Sequence, residues 1–295
     1  MPSRQVLPDH VRDAKIETDF LDSCTRHVVY EAEPSPSSRS LRREERWQRE
    51  SLLGRGTFGM VHLERCITGN DNKVRAVKEI MKGIIVGVED DWIRELDAVF
   101  KFSHPKYRHC FVRSEGWYEL NDRIFIIMKY MPLGDLQINL NDEPLSEFEG
   151  RQITEQVLEA VGFMHNSGFL HYDLKPSNIM VVSRAPAWHV RVADFGISMR
   201  LTDQNTVTVV HRGTLGYAAP EVIVSTDHPC SPADMWSLGC VVHKILTGTP
   251  PLPPSLIYFG STPVRGEDRL TATSAARHPW ITAPLDPSPP KPRSR

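Results

Sequence analysis

Cysteine is scarce and scattered. Cys24, Cys66, Cys110, Cys230 and Cys240 make an odd set of five, with no pair at metal-ligand or redox spacing. That argues against a disulfide framework and for reduced thiols in an intracellular compartment. Net charge is nearly absent: 35 Lys and Arg against 37 Asp and Glu leave -2. No global field therefore draws nucleic acid or an anionic membrane. There is no apolar run long enough to span a bilayer, no signal-peptide core and no internal repeat. The expectation is a monomer of the cytoplasm or nucleus that binds neither nucleic acid nor membrane. With 295 residues, 40% of them hydrophobic, the chain can bury the cores of two lobes.

Composition sets the outer boundaries. Residues 1–46 are polar, and Glu33-Pro34-Ser35-Pro36-Ser37-Ser38-Arg39-Ser40 has linker character, so a disordered extension is expected there. Arg39, Arg42, Arg43, Arg46 and Arg49 form a basic run diluted by Glu44, Glu45 and Glu50, the pattern of a solvated face. A Pro-rich basic tail over 284–295 is expected to be flexible. The rest, 47–283, changes texture once. Residues 47–128 hold short β-type runs: Leu52-Leu53, Met60 to Leu63, Val74 to Ile80 and Arg123 to Met128. One helix interrupts them, with Ile93, Leu96 and Phe100 on a face. Beyond Pro132 helices dominate. Ser146 and Glu149 form a capping box, and Ile153, Val157, Val161 and Met164 follow at helical spacing up to Gly168. A second helix runs from Ala233 to Leu246 and stops at Gly248. Pattern alone gives a β-rich lobe, then a mainly helical lobe, with a cleft expected between them.

Gly54-Arg55-Gly56-Thr57-Phe58-Gly59-Met60-Val61 spells G-x-G-x-x-G-x-V, which three kinds of phosphate-binding turn share. A dinucleotide turn leads into a helix, whereas Met60-Val61-His62-Leu63 reads as strand. A Walker loop needs Gly-Lys-Ser/Thr, which is absent. A glycine-rich β-hairpin remains, either an ordinary one or one whose backbone N–H groups approach phosphate oxygens. Lys78 follows in Ala76-Val77-Lys78. A strand lysine is usually a solvated residue. Here a glutamate on the next helix, Glu95, could hold its ammonium against phosphates; Glu89 is the rival, although it precedes the periodic segment.

The strongest local signal is His171-Tyr172-Asp173-Leu174-Lys175-Pro176-Ser177-Asn178. Asp173 can accept a hydroxyl proton, Lys175 can neutralise a transferring phosphoryl group, and Asn178 can offer oxygen to a cation. Val190 to Ala193 leads as a strand into Asp194-Phe195-Gly196, where the carboxylate suits Mg²⁺. An Asx-turn to its own backbone explains Asp194 but leaves Asp173, Lys175 and Asn178 unexplained.

The ordered set resembles the eukaryotic protein kinase superfamily over 47–283. Its members are the glycine loop, Ala-Val-Lys, the helix glutamate, the His-x-Asp loop, Asp-Phe-Gly and Ala219-Pro220-Glu221. Gly213-Thr214-Leu215-Gly216-Tyr217 resembles the segment that seats a substrate residue. Asp234 to Gly239 resembles the buried anchor helix, and Arg269 stands where the family pairs an arginine with the glutamate here numbered 221. His278-Pro279-Trp280 resembles the close of the domain. Asp-Leu-Lys-Pro-Ser-Asn with Thr214 resembles the serine/threonine branch. Phe-Ser-His-Pro (102–105) and residues 128–136 are most similar to the calmodulin-dependent and checkpoint kinase group.

The resemblance implies an α+β, two-lobed kinase fold, with an N-lobe over 47–131 and a C-lobe over 132–283. It implies transfer of the γ-phosphate of ATP, with Mg²⁺, to a serine or threonine of a protein substrate. Met128 would be the gatekeeper, Lys129 and Met131 would offer backbone groups to adenine, Val61, Ala76 and Met180 would sandwich the ring, and Asp135 would lie near the ribose. Three features depart from the family pattern. Tyr172 replaces the arginine that commonly pairs with activation-loop phosphate, although Thr202, Thr206 and Thr208 lie in that loop. Lys129 replaces a common hinge acid. The C-lobe is shortened between the anchor helix and Arg269, where Pro250, Pro251, Pro253 and Pro254 exclude a helix. A pseudokinase that binds without turnover is the alternative. A kinase of small-molecule hydroxyls is a third reading, opposed by the Gly213–Glu221 segment.

Overall fold

Alternating side chains and glycine turns give the first part of the chain its sheet. The computed structural model describes residues 7–31, 41–56, 59–69, 72–83, 91–140, 143–196, 198–200, 213–224, 230–251 and 266–283. Thr57, Phe58, Glu89, Thr202, Thr206, Thr208, residues 252–265 and the tail 284–295 lie outside the described residues. The chain divides into two compact units, Met1–Pro105 with Arg113–Tyr130, and Lys106–Val112 with Met131–Arg295.

The first unit is built on one seven-stranded antiparallel sheet in the order β1-β2-β3-β4-β5-β7-β6. Its strands are β1 Glu17–Phe20, β2 Thr25–Glu31, β3 Leu41–Gly56, β4 Gly59–Cys66, β5 Val74–Met81, β6 Ser114–Leu120 and β7 Arg123–Lys129. A helix of four residues, α1 (Asp9–Arg12), precedes them, and α2 (Asp91–Phe102) packs beside it. Val77, Tyr118, Phe125 and Ile127 form a buried cluster on which Ile16 packs. On α2, Ile93 and Leu96 are buried as the periodicity requires, while Phe100 is half-buried and Val99 and Phe102 take its place.

The sheet corrects the expectation of a disordered 1–46. Residues 7–31 and 41–46 are folded, and β2 sits between β1 and β3. The polar composition misleads because an inward position of β2 is a histidine. His27 is 1% exposed. Its Nε2 accepts a hydrogen bond from the Arg75 guanidinium (2.8 Å), which also holds Glu64 (2.7 Å). Nδ1 then carries the ring proton and faces Thr18 Oγ1 at 2.8 Å. Burial, with Arg75 alongside, pushes the imidazole down to about 3, so it stays neutral at any physiological pH. Arg39 of the basic run lies outside the described residues; within the rest Arg42, Glu44 and Arg46 are exposed, and Arg42 pairs with Glu44 at 3.1 Å.

The second unit is organised by α4 (Glu147–Asn166) and α6 (Ser231–Thr247). Ser146 accepts from the Glu149 amide and Glu149 accepts from the Ser146 amide, closing the capping box. Ile153, Val157, Val161 and Met164 are all at most 1% exposed. Helix α6 ends at Gly248, whose φ of 76° suits glycine. A Cβ on Gly150 would lie 2.7 Å from Leu246, so α4 and α6 pack at glycine distance. The short elements are α3 (Leu136–Leu140), β8 (Phe169–Leu170), β9 (Ile179–Ser183), β10 (His189–Val192), β11 (Met199–Arg200), α5 (Pro220–Val224), α7 (Ala272–Ala275) and α8 (Pro279–Thr282). Beyond α6 the described helices span no more than four residues. An apolar cavity of about 710 Å³ lies there, lined by Leu158, Met235, Leu238, Val242, Trp280 and Ile281 among others.

Candidate active site

In the first unit the sheet register gathers four of the expected residues on one face. Ala76 and Lys78 lie two apart on β5, so their side chains point the same way. Val61 is the partner of Lys78 across β4, and Met128 is the partner of Ala76 across β7. Directly opposed residues share a face, so Val61, Ala76, Met128 and Lys78 form one surface. Lys78 and Glu95 are 6% and 4% exposed, and Nζ donates to Glu95 Oε1 at 2.5 Å. Gly54 and Gly56 pair with Val61 and Gly59 in the β3–β4 hairpin. A Cβ on Gly59 would stand 2.0 Å from the Glu79 carbonyl oxygen, so only glycine fits, whereas added Cβ atoms on Gly54 and Gly56 meet nothing within 4 Å. Arg55 is exposed beside them. The Lys129 amide donates to the Arg113 carbonyl at 3.0 Å.

In the second unit the loop between β8 and β9 converges on one carboxylate. Asp173 Oδ2 accepts from Lys175 Nζ (2.7 Å) and Asn178 Nδ2 (3.1 Å). Oδ1 accepts from the Thr214 hydroxyl at 2.7 Å, and Lys175 also donates to Thr214 at 2.7 Å. The Asn178 NH₂ is thus turned to Asp173, so its amide oxygen is the group able to meet a cation. Strands β9 and β10 pair antiparallel, and the Ala193 amide bonds the Asn178 carbonyl at 2.8 Å, which sets Asp194 next to Asn178. The Asx-turn is present too, since Asp194 Oδ1 accepts from the Gly196 amide at 3.1 Å. Carboxylate and amide oxygens are hard donors, which fits Mg²⁺. Asp135 bridges Met180 through backbone and accepts from the Ile138 amide at 2.9 Å, opening α3. Burial raises its carboxyl against the pull of that bond. The Met131 carbonyl accepts from the Gly134 amide at 3.0 Å.

The loop is held in a strained form. Tyr172 and Asp194 have φ of 65° and 62°, unusual for residues with side chains. The strain at Tyr172 is over-determined by Asp234, which is fully buried. Its carboxylate accepts the amides of His171 (2.9 Å) and Tyr172 (2.8 Å), and His165 Nε2 lies 2.9 Å away. Burial favours the protonated acid, yet those bonds and the nearby imidazoles outweigh it and hold the carboxyl below its usual range. The Tyr172 hydroxyl accepts from the Cys230 amide at 3.0 Å, at the start of α6. Arg269 clasps Glu221 with two bonds of 2.6 and 2.9 Å. His165 carries no sequence signal, because its helix position looks like that of any other surface histidine. Elsewhere, His109, Cys110 and Glu159 offer ligand atoms within 4.8 Å of one another. Burial and then Glu159 push the Cys110 thiol up to about 12, so it keeps its proton.

A lysine–glutamate pair on a glycine-hairpin sheet, and an Asp-Lys-Asn loop beside Asp-Phe-Gly, define a class of phosphotransferase. The family profile of the protein kinase domain matches residues 47–257. Serine/threonine-protein kinase RAD53 of Saccharomyces cerevisiae is 34% identical over 274 residues, covering 79% of this chain and 32% of that protein. Calcium/calmodulin-dependent protein kinase cmkA of Emericella nidulans is 36% identical over 200 residues, 68% of this chain and 46% of that one. A calcium/calmodulin-dependent protein kinase of Metarhizium anisopliae is 34% identical over 200 residues, 68% and 50%. The chain belongs to the protein kinase family, in the group of these relatives. The match spans about a third to a half of each relative's length. Family membership implies ATP, typically with Mg²⁺, and a protein substrate. No described helix is long and apolar enough to cross a membrane.

Proposed function

We propose that the chain is an active serine/threonine kinase. The observation that carries this is the three-way contact of Asp173, Lys175 and Thr214, which assembles a base and a cation at one point. Bound ATP with Mg²⁺ supplies the phosphoryl group and neutralises part of its charge. Asp173 orients the substrate hydroxyl and accepts its proton. Lys175 stabilises charge on the transferring group, and Thr214 fixes both side chains. Lys78, positioned by Glu95, holds the α- and β-phosphates under the loop from Gly54 through Arg55, Gly56, Thr57 and Phe58 to Gly59. Asn178 and Asp194 hold the cation. The Lys129 carbonyl and Met131 amide meet adenine, which Val61, Ala76 and Met180 enclose with Met128 as gatekeeper, and Asp135 lies near the ribose. Purified chain given radiolabelled ATP and a serine/threonine peptide library should label peptide. Nucleotide binding without labelling would favour the pseudokinase reading, which Tyr172 motivates.

Tyr172 also bears on control. It is 9% exposed, and its hydroxyl is turned to Cys230, so it offers no cation to a phosphothreonine. Thr202→Ala, Thr206→Ala and Thr208→Ala, singly or together, should keep activity within about twofold, because Tyr172 gives a phosphate on them no cation to pair with. Loss of activity on phosphatase treatment, restored by loop phosphorylation, would show that another cation serves.

A further inference from the structure

Helix α2 is buried from more than one side. Glu95 faces Lys78, but Asp97 and Ala98, at 5% and 0% exposed, are covered as well. The N-terminal segment lies against this helix. His10 Nε2 lies 3.3 Å from the Asp97 carbonyl oxygen and 3.0 Å from its Oδ1. The carbonyl oxygen accepts and the ring nitrogen donates, while Oδ1 stands at ion-pair distance without hydrogen-bond geometry. Val11, the middle of α1, is 0% exposed. The same segment is fastened to β6. Trp117 Nε1 donates to the Val11 carbonyl at 2.6 Å, the Ile16 amide to the Trp117 carbonyl at 2.8 Å, and the Trp117 amide to the Ala14 carbonyl at 3.1 Å. Lys15 pairs with Glu119 at 2.5 Å. The approach is so close that a Cβ on Gly116 would stand 2.4 Å from Ile16 Cδ1 and 3.1 Å from the Ala14 carbonyl oxygen. Trp117 also meets Trp92 of α2, with ring centroids 6.1 Å apart.

We propose that residues 9–16 are a positioning element: they tie α2 to β6 and so keep Glu95 on Lys78. The segment precedes residue 47, where the family match begins, so this device is an addition to the shared domain. It rests on Lys78 holding phosphate. A tether that binds only one placement of α2 shifts the population toward that placement, by as much as the tether's contacts differ between the two. His10 acts through α2 and Glu95 and does not touch substrate.

The test uses the full chain with His10→Ala, and His10→Gln as the conservative rescue. Nucleotide affinity with Mg²⁺ is measured in the native and Glu95→Gln backgrounds, and amide exchange is followed over Asp91–Phe102. We expect His10→Ala to weaken affinity about fivefold when Glu95 is present and less than about twofold when it is replaced, the size of one lost hydrogen bond. Exchange over α2 should rise about tenfold with α4 unchanged, and His10→Gln should restore both. Equal weakening in both backgrounds marks a merely structural anchor and overturns the proposal, as does unchanged exchange over α2. If the native chain binds no nucleotide, the role of Lys78 fails separately, and exchange over α2 alone decides for or against the tether.

Discussion

Asp173→Asn lowers kcat by about 10²- to 10⁴-fold, the contribution of a positioned general base, while the melting temperature moves little. The two halves of this expectation have separate causes. Asparagine cannot take the hydroxyl proton and carries no charge to hold Lys175. The fold tolerates it because the donors around Asp173 are unevenly placed. Lys175 and Asn178 both aim at Oδ2, so the asparagine oxygen takes that position. Its NH₂ then faces the Thr214 hydroxyl, which can turn and accept. Labelling of peptide by Asp173→Asn at near native rate would remove Asp173 from the mechanism. A large fall in melting temperature would show that the pocket does not accommodate the amide.

Lys78→Met lowers phosphoryl transfer by about 10²- to 10³-fold, as for other groups that stabilise charge in the transition state, but here stability falls too. Lys78 is 6% exposed and Glu95 4%, so the change removes a cation from beside a buried carboxylate. Breaking a buried pair by losing one member costs about 3–5 kcal/mol. Adding Glu95→Gln removes the charge that was stranded. The double variant should therefore regain most of the stability and none of the activity. Calorimetry beside a single-turnover assay separates the two. Near-native turnover in either variant would mean that another cation holds the phosphates.

The parts that could be read from the sequence are those that local chemistry decides. Ser146 and Glu149 close their capping box within four residues, and Ile153, Val157, Val161 and Met164 show the helical period that burial demands. The Lys78–Glu95 contact, 17 residues apart, was legible because a hairpin, strand and helix in that order bring the two sides together. Thr214 lies 41 residues from Asp173, and only the family pattern drew attention to it. The N-terminal strands were missed because strand pairing has no local signature. His27 reads as a polar residue of a soluble tail until Arg75 and Glu64, far along the chain, give its ring a buried partner. Trp117 likewise looks like an ordinary β residue, and its bond to the Val11 carbonyl spans 106 positions.

The place of β1 matters for anyone who trims this chain. It is one of the two margins of the sheet, four residues long, with Glu17, Thr18, Asp19 and Phe20. A short, acidic border strand is poor at recruiting a strand from another molecule. A fragment begun at Trp47, where the family match starts, would lose β1, β2 and the first six residues of β3. Of the β3 that remains only Trp47 is paired with β2, so the cut frees little strand edge; what it uncovers is the surface beneath, where Arg75 loses His27 and the Tyr118–Phe125 cluster loses Phe20 and Ile16. Such a fragment should self-associate through that uncovered apolar surface, so that its solubility, not its chemistry, would limit work with it.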